Sequence, residues 1–394
     1  MKTVAVLGAG NSGKGLAGDA AVAGHNVRLW ENPDFKQNTE GLKRIRTYGI
    51  QNNAKKFKRE GVAEIELATT NMKEAVHGAD IIAISVVSLG FDKMLDQLIP
   101  CLEDGQVISF FPDNYGSLIM RKKMREAGCH KKVVIGGWSS LPYGARVTKN
   151  GETSEVFYVY RAINLRGDAL PSTDRDVFFR TMREFACMDP IDFIAGDTML
   201  DVNFCNVNPI LHVPAVLLNA GAIDNWGIIE PVGDKNEYYS IYRHAFSPSV
   251  SKVQYGIYLE EVEITKALGI SIQHYDKNVF FSRLGILGPE FMGEGWTTPL
   301  EENMPDWYRM QYYPGARFTV QNRYVSEDVP VGTKMFYELG KFAGVTTPLL
   351  ESMITLASAI NETNYFESDW DLNKIGIAGM TKEDILTYLR EGKI

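Results

Sequence analysis

Short apolar runs without polar alternation recur through the first half of the chain, each followed by a stretch with helical spacing. Residues 3–7, 27–30, 79–86, 106–111 and 132–136 have this character, and 65–69 is a further strand candidate. The Ala-rich stretch ending near Ala23-Gly24 and residues 72–77 read as helices between them. Strands that are apolar on both faces belong to parallel sheets with helices on either side. The expected fold class is therefore α/β, an N-terminal Rossmann-type doubly wound parallel sheet, with residues 154–162 and 173–186 as its last strand and helix.

From about Asp189 to Asp197 the pattern changes. Helical periodicity then dominates over 199–222, 249–268, 332–342, 349–360 and 382–389, the last introduced by Thr381 as N-cap with Asp384 at the capping-box position. The sequence thus predicts a dinucleotide-binding domain over 1–195 and an all-helical substrate or catalytic domain over 196–394. Binding sites gather at domain interfaces, so the active site is expected in the cleft between them.

The first apolar run leads into Gly8-Ala9-Gly10-Asn11-Ser12-Gly13. Glycine at 8 permits a tight turn, at 10 a close approach of backbone to a pyrophosphate, and at 13 close packing of helix on strand. The pyrophosphate would lie over the helix N-terminus, where free amides and the helix dipole favour negative charge. Glu31 ends the second strand, where a carboxylate binds both ribose hydroxyls and repels a 2'-phosphate, which favours NAD. Lys36 nearby keeps NADP open, and a surface charge is the plainer reading of Glu31. Strand ends such as Val86-Val87-Ser88, residues 112–116 and residues 138–143 fall near the same cofactor, although their polar residues also suit turns and caps.

Composition narrows the classes. A chain of 394 residues, 45% of them apolar, can build two cores of ordinary size. A net charge of -8 without a block of like charge argues against nucleic acid as partner. Four scattered cysteines lack metal or redox spacing, no apolar run has transmembrane length, and no signal peptide is apparent, so a cytoplasmic protein with free thiols is expected. No metal is expected, and a homodimer is left open.

Chemistry concentrates past mid-chain. His212 stands in an apolar run flanked by asparagines, with Pro214 two residues on. A histidine there is either a general acid/base or a core imidazole satisfied by a backbone carbonyl. Arg323, Glu327 and Asp328 precede a helix. An arginine fork clamps a substrate carboxylate and an aspartate holds an imidazole in one tautomer, while acids before a helix also serve as caps. Arg243 belongs to a second arginine segment with a surface reading, and Asn208 and Asn219 are candidates for substrate contact or for helix packing.

Together these segments resemble the NAD-dependent opine dehydrogenases of the octopine and nopaline dehydrogenase type. The resemblance runs through Gly8 to Gly13, Leu141-Pro142-Tyr143-Gly144-Ala145-Arg146, the Asn-rich helix with His212, Tyr242-Arg243 before Ser247-Pro248-Ser249-Val250, and Ala267-Leu268-Gly269-Ile270. It continues through Arg323-Tyr324, Glu327-Asp328-Val329-Pro330 and Ala343-Gly344-Val345-Thr346-Thr347-Pro348. It implies NADH-dependent condensation of an amino acid with a 2-keto acid, a catalytic pair of His212 and Asp328, and Arg323 on a substrate carboxylate. The chain departs from the family pattern at Val213-Pro214, His244-Ala245, Ala145 and Asp369-Trp370, positions that bear on substrate identity. The alternatives are another two-domain NAD(P)-dependent keto or hydroxy acid dehydrogenase and a non-catalytic nucleotide sensor. The former generally uses a lysine acid/base, and no lysine has a comparable mid-helix setting, Lys266 lying on a charged face.

Overall fold

The computed structural model describes residues 1–49, 57–229, 232–233, 239, 241–277 and 318–393. They form two compact units, one of Met1–Asn203 with the described residues from Gly379 on, the other of the described residues from Phe204 to Ala378. The first unit thus runs eight residues past the expected join at 195, and the helix Lys382–Glu391 packs with it rather than with the helical unit. That helix opens on the expected capping box, Thr381 Oγ1 accepting from Asp384 N and Asp384 Oδ2 from Thr381 N.

The strands are β1 Thr3–Leu7, β2 Asn26–Trp30, β3 Arg44–Gly49, β4 Gly61–Glu64, β5 Leu67–Thr69, β6 Ile81–Ile84, β7 Val107–Phe110, β8 Val134–Trp138, β9 Tyr143–Lys149, β10 Thr153–Arg161, β11 Asn164–Ala169 and β12 Asp192–Ala195. Eight form the main sheet in the order β12-β11-β8-β7-β6-β1-β2-β5. Its centre is apolar on both faces, Val4 to Leu7 and Ile81 to Ile84 all being buried, which is why these runs show no alternation. From β8 to β5 the neighbours are parallel, with Val4 beside Ile81 and Val27. The candidate at 65–69 contributes only Leu67–Thr69, beside β2.

Two features differ from a simple parallel sheet. β11 runs antiparallel to β8, pairing Gly167 with Trp138, and β12 follows β11. Between β8 and β11 the chain makes the antiparallel pair β9-β10 instead of a crossover helix, and without a crossover the next neighbour runs in reverse. Residues 154–162 are therefore not the last strand of the main sheet. β10 belongs to a second sheet of order β4-β3-β10-β9.

That second sheet explains the composition of the helix Asn11–Val22, in which every residue from Gly13 to Ala21 is buried. A Cβ on Gly15 would lie 2.9 Å from Ala145 Cβ, and one on Gly18 would lie 2.6 Å from Ile45 Cγ2. Glycines at these positions let the helix lie against both sheets. Inside the contact, Asp19 accepts from Arg161 Nη2 at 2.6 Å and from Arg59 Nη1 at 3.1 Å, so its buried charge is paired.

The expected 199–222 helix is broken into Met199–Phe204, which belongs to the first unit as far as Asn203, and Asn208–Leu217 and Ala220–Asn225 in the helical unit. Asn206 Oδ1 captures Asn208 N at 3.1 Å, and Pro209 has no N–H with which to continue an earlier helix, so a new one starts there. Expected helix 332–342 begins at Lys334, after a wide π-type turn Val329–Thr333. Gly332 in that turn rests on Pro209, a Cβ there falling 2.1 Å from Pro209 Cγ. A side chain at 332 would push the turn off the helix that carries His212. No described helix is long and apolar enough to cross a membrane.

The long helix Pro248–Leu268 holds a destabilising group. Glu261 is 0% exposed, and neither carboxylate oxygen has a hydrogen-bond partner among the described residues. Burial holds its acid well above the ordinary carboxylate range, and the neighbouring Glu260 adds to this. The folded chain therefore keeps a proton that the unfolded chain releases above its ordinary carboxylate pKa, so this residue's contribution to stability falls as pH rises. Glu261→Leu should stabilise the protein by about 1–3 kcal/mol at neutral pH, because an unsatisfied buried polar group is removed. Thermal denaturation checks this, and the gain in melting temperature should be larger at pH 8 than at pH 5.

Candidate active site

β1 delivers the chain into the glycine loop with Gly8 at φ 100°, a left-handed conformation that favours glycine. The three glycines differ in what surrounds them. A Cβ on Gly8 would be 2.7 Å from Ser85 O, and one on Gly13 would be 1.6 Å from Gly8 O, whereas a Cβ on Gly10 would meet nothing within 4 Å. Two glycines thus make the turn and the third borders open space at the start of the helix Asn11–Val22, a cradle that fits a dinucleotide pyrophosphate.

Glu31 is buried at the end of β2, and its carboxylate braces the loop. Oε2 accepts from Ala9 N at 3.1 Å and from Asn38 Nδ2 at 3.0 Å, and Oε1 accepts from Asn32 N at 2.8 Å. This excludes the plain surface-charge reading. Asn11 Oδ1 accepts from Val147 N at 2.8 Å, tying the loop to β9. Ser12 is half-buried in the first turn. Val86 follows β6, its Cγ2 3.3 Å from where a Cβ on Gly8 would stand.

The strand ends beyond β6 and β7 are linked. Asn114 Nδ2 donates to Ser88 Oγ at 2.8 Å. Asn114 and Tyr115 have φ of 43° and 62°, uncommon for residues with a side chain. The fully buried Asp113 holds this turn, accepting from Asn203 Nδ2 at 2.8 Å and from Ser117 Oγ at 3.1 Å, while Asn203 Oδ1 accepts from Tyr115 N at 2.7 Å. Burial raises the Asp113 acid to about 6 against the pull of those donors.

In the helical unit, His212 projects from the helix Asn208–Leu217 and is 5% exposed. Its Nδ1 lies 2.7 Å from Asp328 Oδ2, across 116 residues of sequence. The partner of Nδ1 is thus a carboxylate. A carboxylate at Nδ1 accepts the proton carried there and so fixes the ring's tautomer and orientation. Tyr324 packs beside the imidazole, ring centroids 4.0 Å apart. Asp328 makes no side-chain cap to the turn that follows. Glu327 instead binds Arg323, Oε2 accepting from Nη2 at 2.7 Å and from Nε at 3.0 Å. The Arg323 side chain remains 72% exposed, its fork aimed by Glu327.

The other expected residues fare differently. Asn208 begins the His212 helix, one turn before the histidine and on its face. Asn219 donates to Ala215 O and Ala245 O, which is the packing reading. Arg243 lies in the turn Ile241–Ala245, and its side chain falls outside the described residues. Tyr324 and the aiming role of Glu327 were missed; the four-residue spacing of Arg323 and Glu327 on a helical turn was the available signal. Among the described residues no cluster of three or more His, Cys, Asp or Glu could hold a metal ion.

A sheet with a glycine cradle for a dinucleotide and a helical unit with a carboxylate-backed imidazole define an NAD(P)-dependent dehydrogenase. Residues 195–361 match the family described as NAD/NADP octopine/nopaline dehydrogenase, alpha-helical domain, and residues 3–111 match the NAD-dependent glycerol-3-phosphate dehydrogenase N-terminus. An opine dehydrogenase of Arthrobacter sp. (strain 1C) is 26% identical over 390 residues, covering 98% of each chain. Octopine dehydrogenase in complex with NADH and agmatine has the same fold, with TM-score 0.69, 16% identity and 98% of both chains covered. Yersinopine dehydrogenase with NADP+ bound gives TM-score 0.64 at 13% identity, covering 99% of this chain and 98% of that one. Residues 195–361 thus carry the octopine/nopaline dehydrogenase helical domain, the chain is similar to opine dehydrogenases along its length, and it is an NAD(P)-dependent oxidoreductase acting on CH-NH donors.

Proposed function

We propose that the protein catalyses the NADH-dependent reductive condensation of an amino acid with a 2-keto acid to an N-(carboxyalkyl)amino acid, and the reverse oxidation. The observation that carries this reading is the 2.7 Å contact between His212 Nδ1 and Asp328 Oδ2, with Arg323 on the turn beside it. His212 removes a proton from the substrate ammonium, so that the neutral amine attacks the keto carbon. It returns the proton to the hydroxyl that leaves as water, which gives the protonated imine. Asp328 stabilises the imidazolium formed in between. Arg323 holds a carboxylate bidentately, with Arg243 and Asn208 as further substrate contacts.

Gly8, Ala9, Gly10, Asn11, Ser12 and Gly13 hold the pyrophosphate, with Glu31 and Val86 at their rim. NADH bound there supplies the hydride. Asn38 and Asn32 keep the Glu31 carboxylate at the loop, which favours NAD over NADP. The competing two-domain keto reductases generally use a lysine as acid/base. Lys334, the one buried lysine among the described residues of this unit, donates to Ser368 O at 2.8 Å and Trp370 O at 2.7 Å and is structural. Screening NADH consumption against a matrix of amino acids and keto acids tests the proposal. Consumption should require both substrates, and turnover with a keto acid alone would overturn it.

A further inference from the structure

Lys14 occupies a place where a cation is disfavoured three times over. It is 2% exposed, it stands in the first turn of the helix Asn11–Val22 where the dipole repels positive charge, and no carboxylate among the described residues pairs with it. Its ammonium donates instead to a neutral acceptor, Asn150 Oδ1 at 2.6 Å, in the turn joining β9 to β10. Four residues earlier lies Gly10, bordering the open cradle. We infer that Lys14 is the counter-cation for the pyrophosphate of the bound dinucleotide, and that the phosphate charge offsets the cost of burying the ammonium.

The surroundings leave Lys14 dependent on that anion. Burial pushes its pKa down to about 8, and Glu31, beyond β2, opposes this from a distance. The other charges around it are engaged elsewhere. Asp19, on its own helix, pairs with Arg59 and Arg161. Lys149 pairs with Glu155, and Glu152 with Lys43 and Arg44, on either side of Asn150. Without ligand the ammonium is therefore partly neutral in mildly alkaline solution. An arriving phosphate raises its pKa, so binding takes up a proton.

This inference concerns dinucleotide binding alone and does not depend on the reaction proposed above. The probe is ADP-ribose, measured by calorimetry against adenosine, which lacks phosphate. Lys14→Met should weaken ADP-ribose by about 10–100-fold, the range of a hydrogen bond to a charged group, and leave adenosine unchanged. In wild-type protein at pH 8.5, titration in two buffers of different ionisation enthalpy should show net proton uptake with ADP-ribose and none with adenosine. The wild-type measurement stands even if the variant does not fold. Unliganded Lys14→Met should also melt higher than wild type at pH 7, with the advantage shrinking by pH 9.5, because a depressed lysine pKa costs stability most below that pKa. Equal weakening of both probes, unchanged ADP-ribose affinity, or loss confined to 2'-phosphorylated ligands would overturn the inference, as would ADP-ribose binding without proton uptake.

Discussion

Asp328→Asn is expected to lower turnover by about 10²–10⁴-fold while leaving NADH affinity within a factor of about two, the loss typical when a general acid/base is disabled. The reason lies in the 2.7 Å contact with His212 Nδ1. An aspartate accepts the Nδ1 proton and compensates charge when the ring is protonated. An asparagine of the same shape turns its amide donor toward Nδ1, which places the proton on Nε2 in the neutral ring and stabilises no cation. His212→Ala should cost about as much, and the double variant little more than either single one, because two groups acting as a unit are not additive. Steady-state kinetics on the three variants, with NADH binding by fluorescence, decides the matter. Full turnover in Asp328→Asn would remove the pair from the chemistry, and loss of NADH binding would mean that Asp328 serves the fold.

The parts of this site that were legible in the sequence are those whose physics is local. Turn, cradle and packing glycines lie within six residues, and each has a distinct backbone reason to be glycine. The apolar runs announce buried strands because both faces are covered. The partner of His212 is different in kind. The helix Asn208–Leu217 and the turn at Asp328 meet through a tertiary contact, Gly332 on Pro209, that no local pattern encodes. Only likeness to a known family named that pair in advance. The second sheet escaped because β3 and β4 alternate exposed and covered residues, the pattern of half-buried strands rather than the uniformly apolar runs that announce the main sheet. Its trace was the helix Asn11–Val22, small or apolar around nearly its whole circumference, which signals cover on more than one side. Lys14 was hidden for the same reason, since its burial depends on the β9–β10 turn.

Gly10→Ala and Gly13→Ala should fail in different ways, although a motif treats both positions as equivalent. At Gly13 the added methyl would stand 1.6 Å from Gly8 O, so the helix must leave the strand or the turn must open. That replaces a packed contact with strain, and the variant should lose several degrees of melting temperature together with NADH binding. At Gly10 the methyl enters open space, and the backbone, at φ -75°, already suits an L-residue. Gly10→Ala should therefore melt within about one degree of wild type, since a surface change without strain or cavity costs little. Its methyl nevertheless occupies the space where a pyrophosphate would contact the backbone amides, so ADP-ribose and NADH should bind about 10–100-fold more weakly, as expected where hydrogen bonds to a charged group are lost. A scan of melting temperature against ADP-ribose affinity for the two variants separates turn-making from ligand-making glycine. A Gly10→Ala protein with wild-type affinity would show that the open space at the helix start is not where the dinucleotide lies.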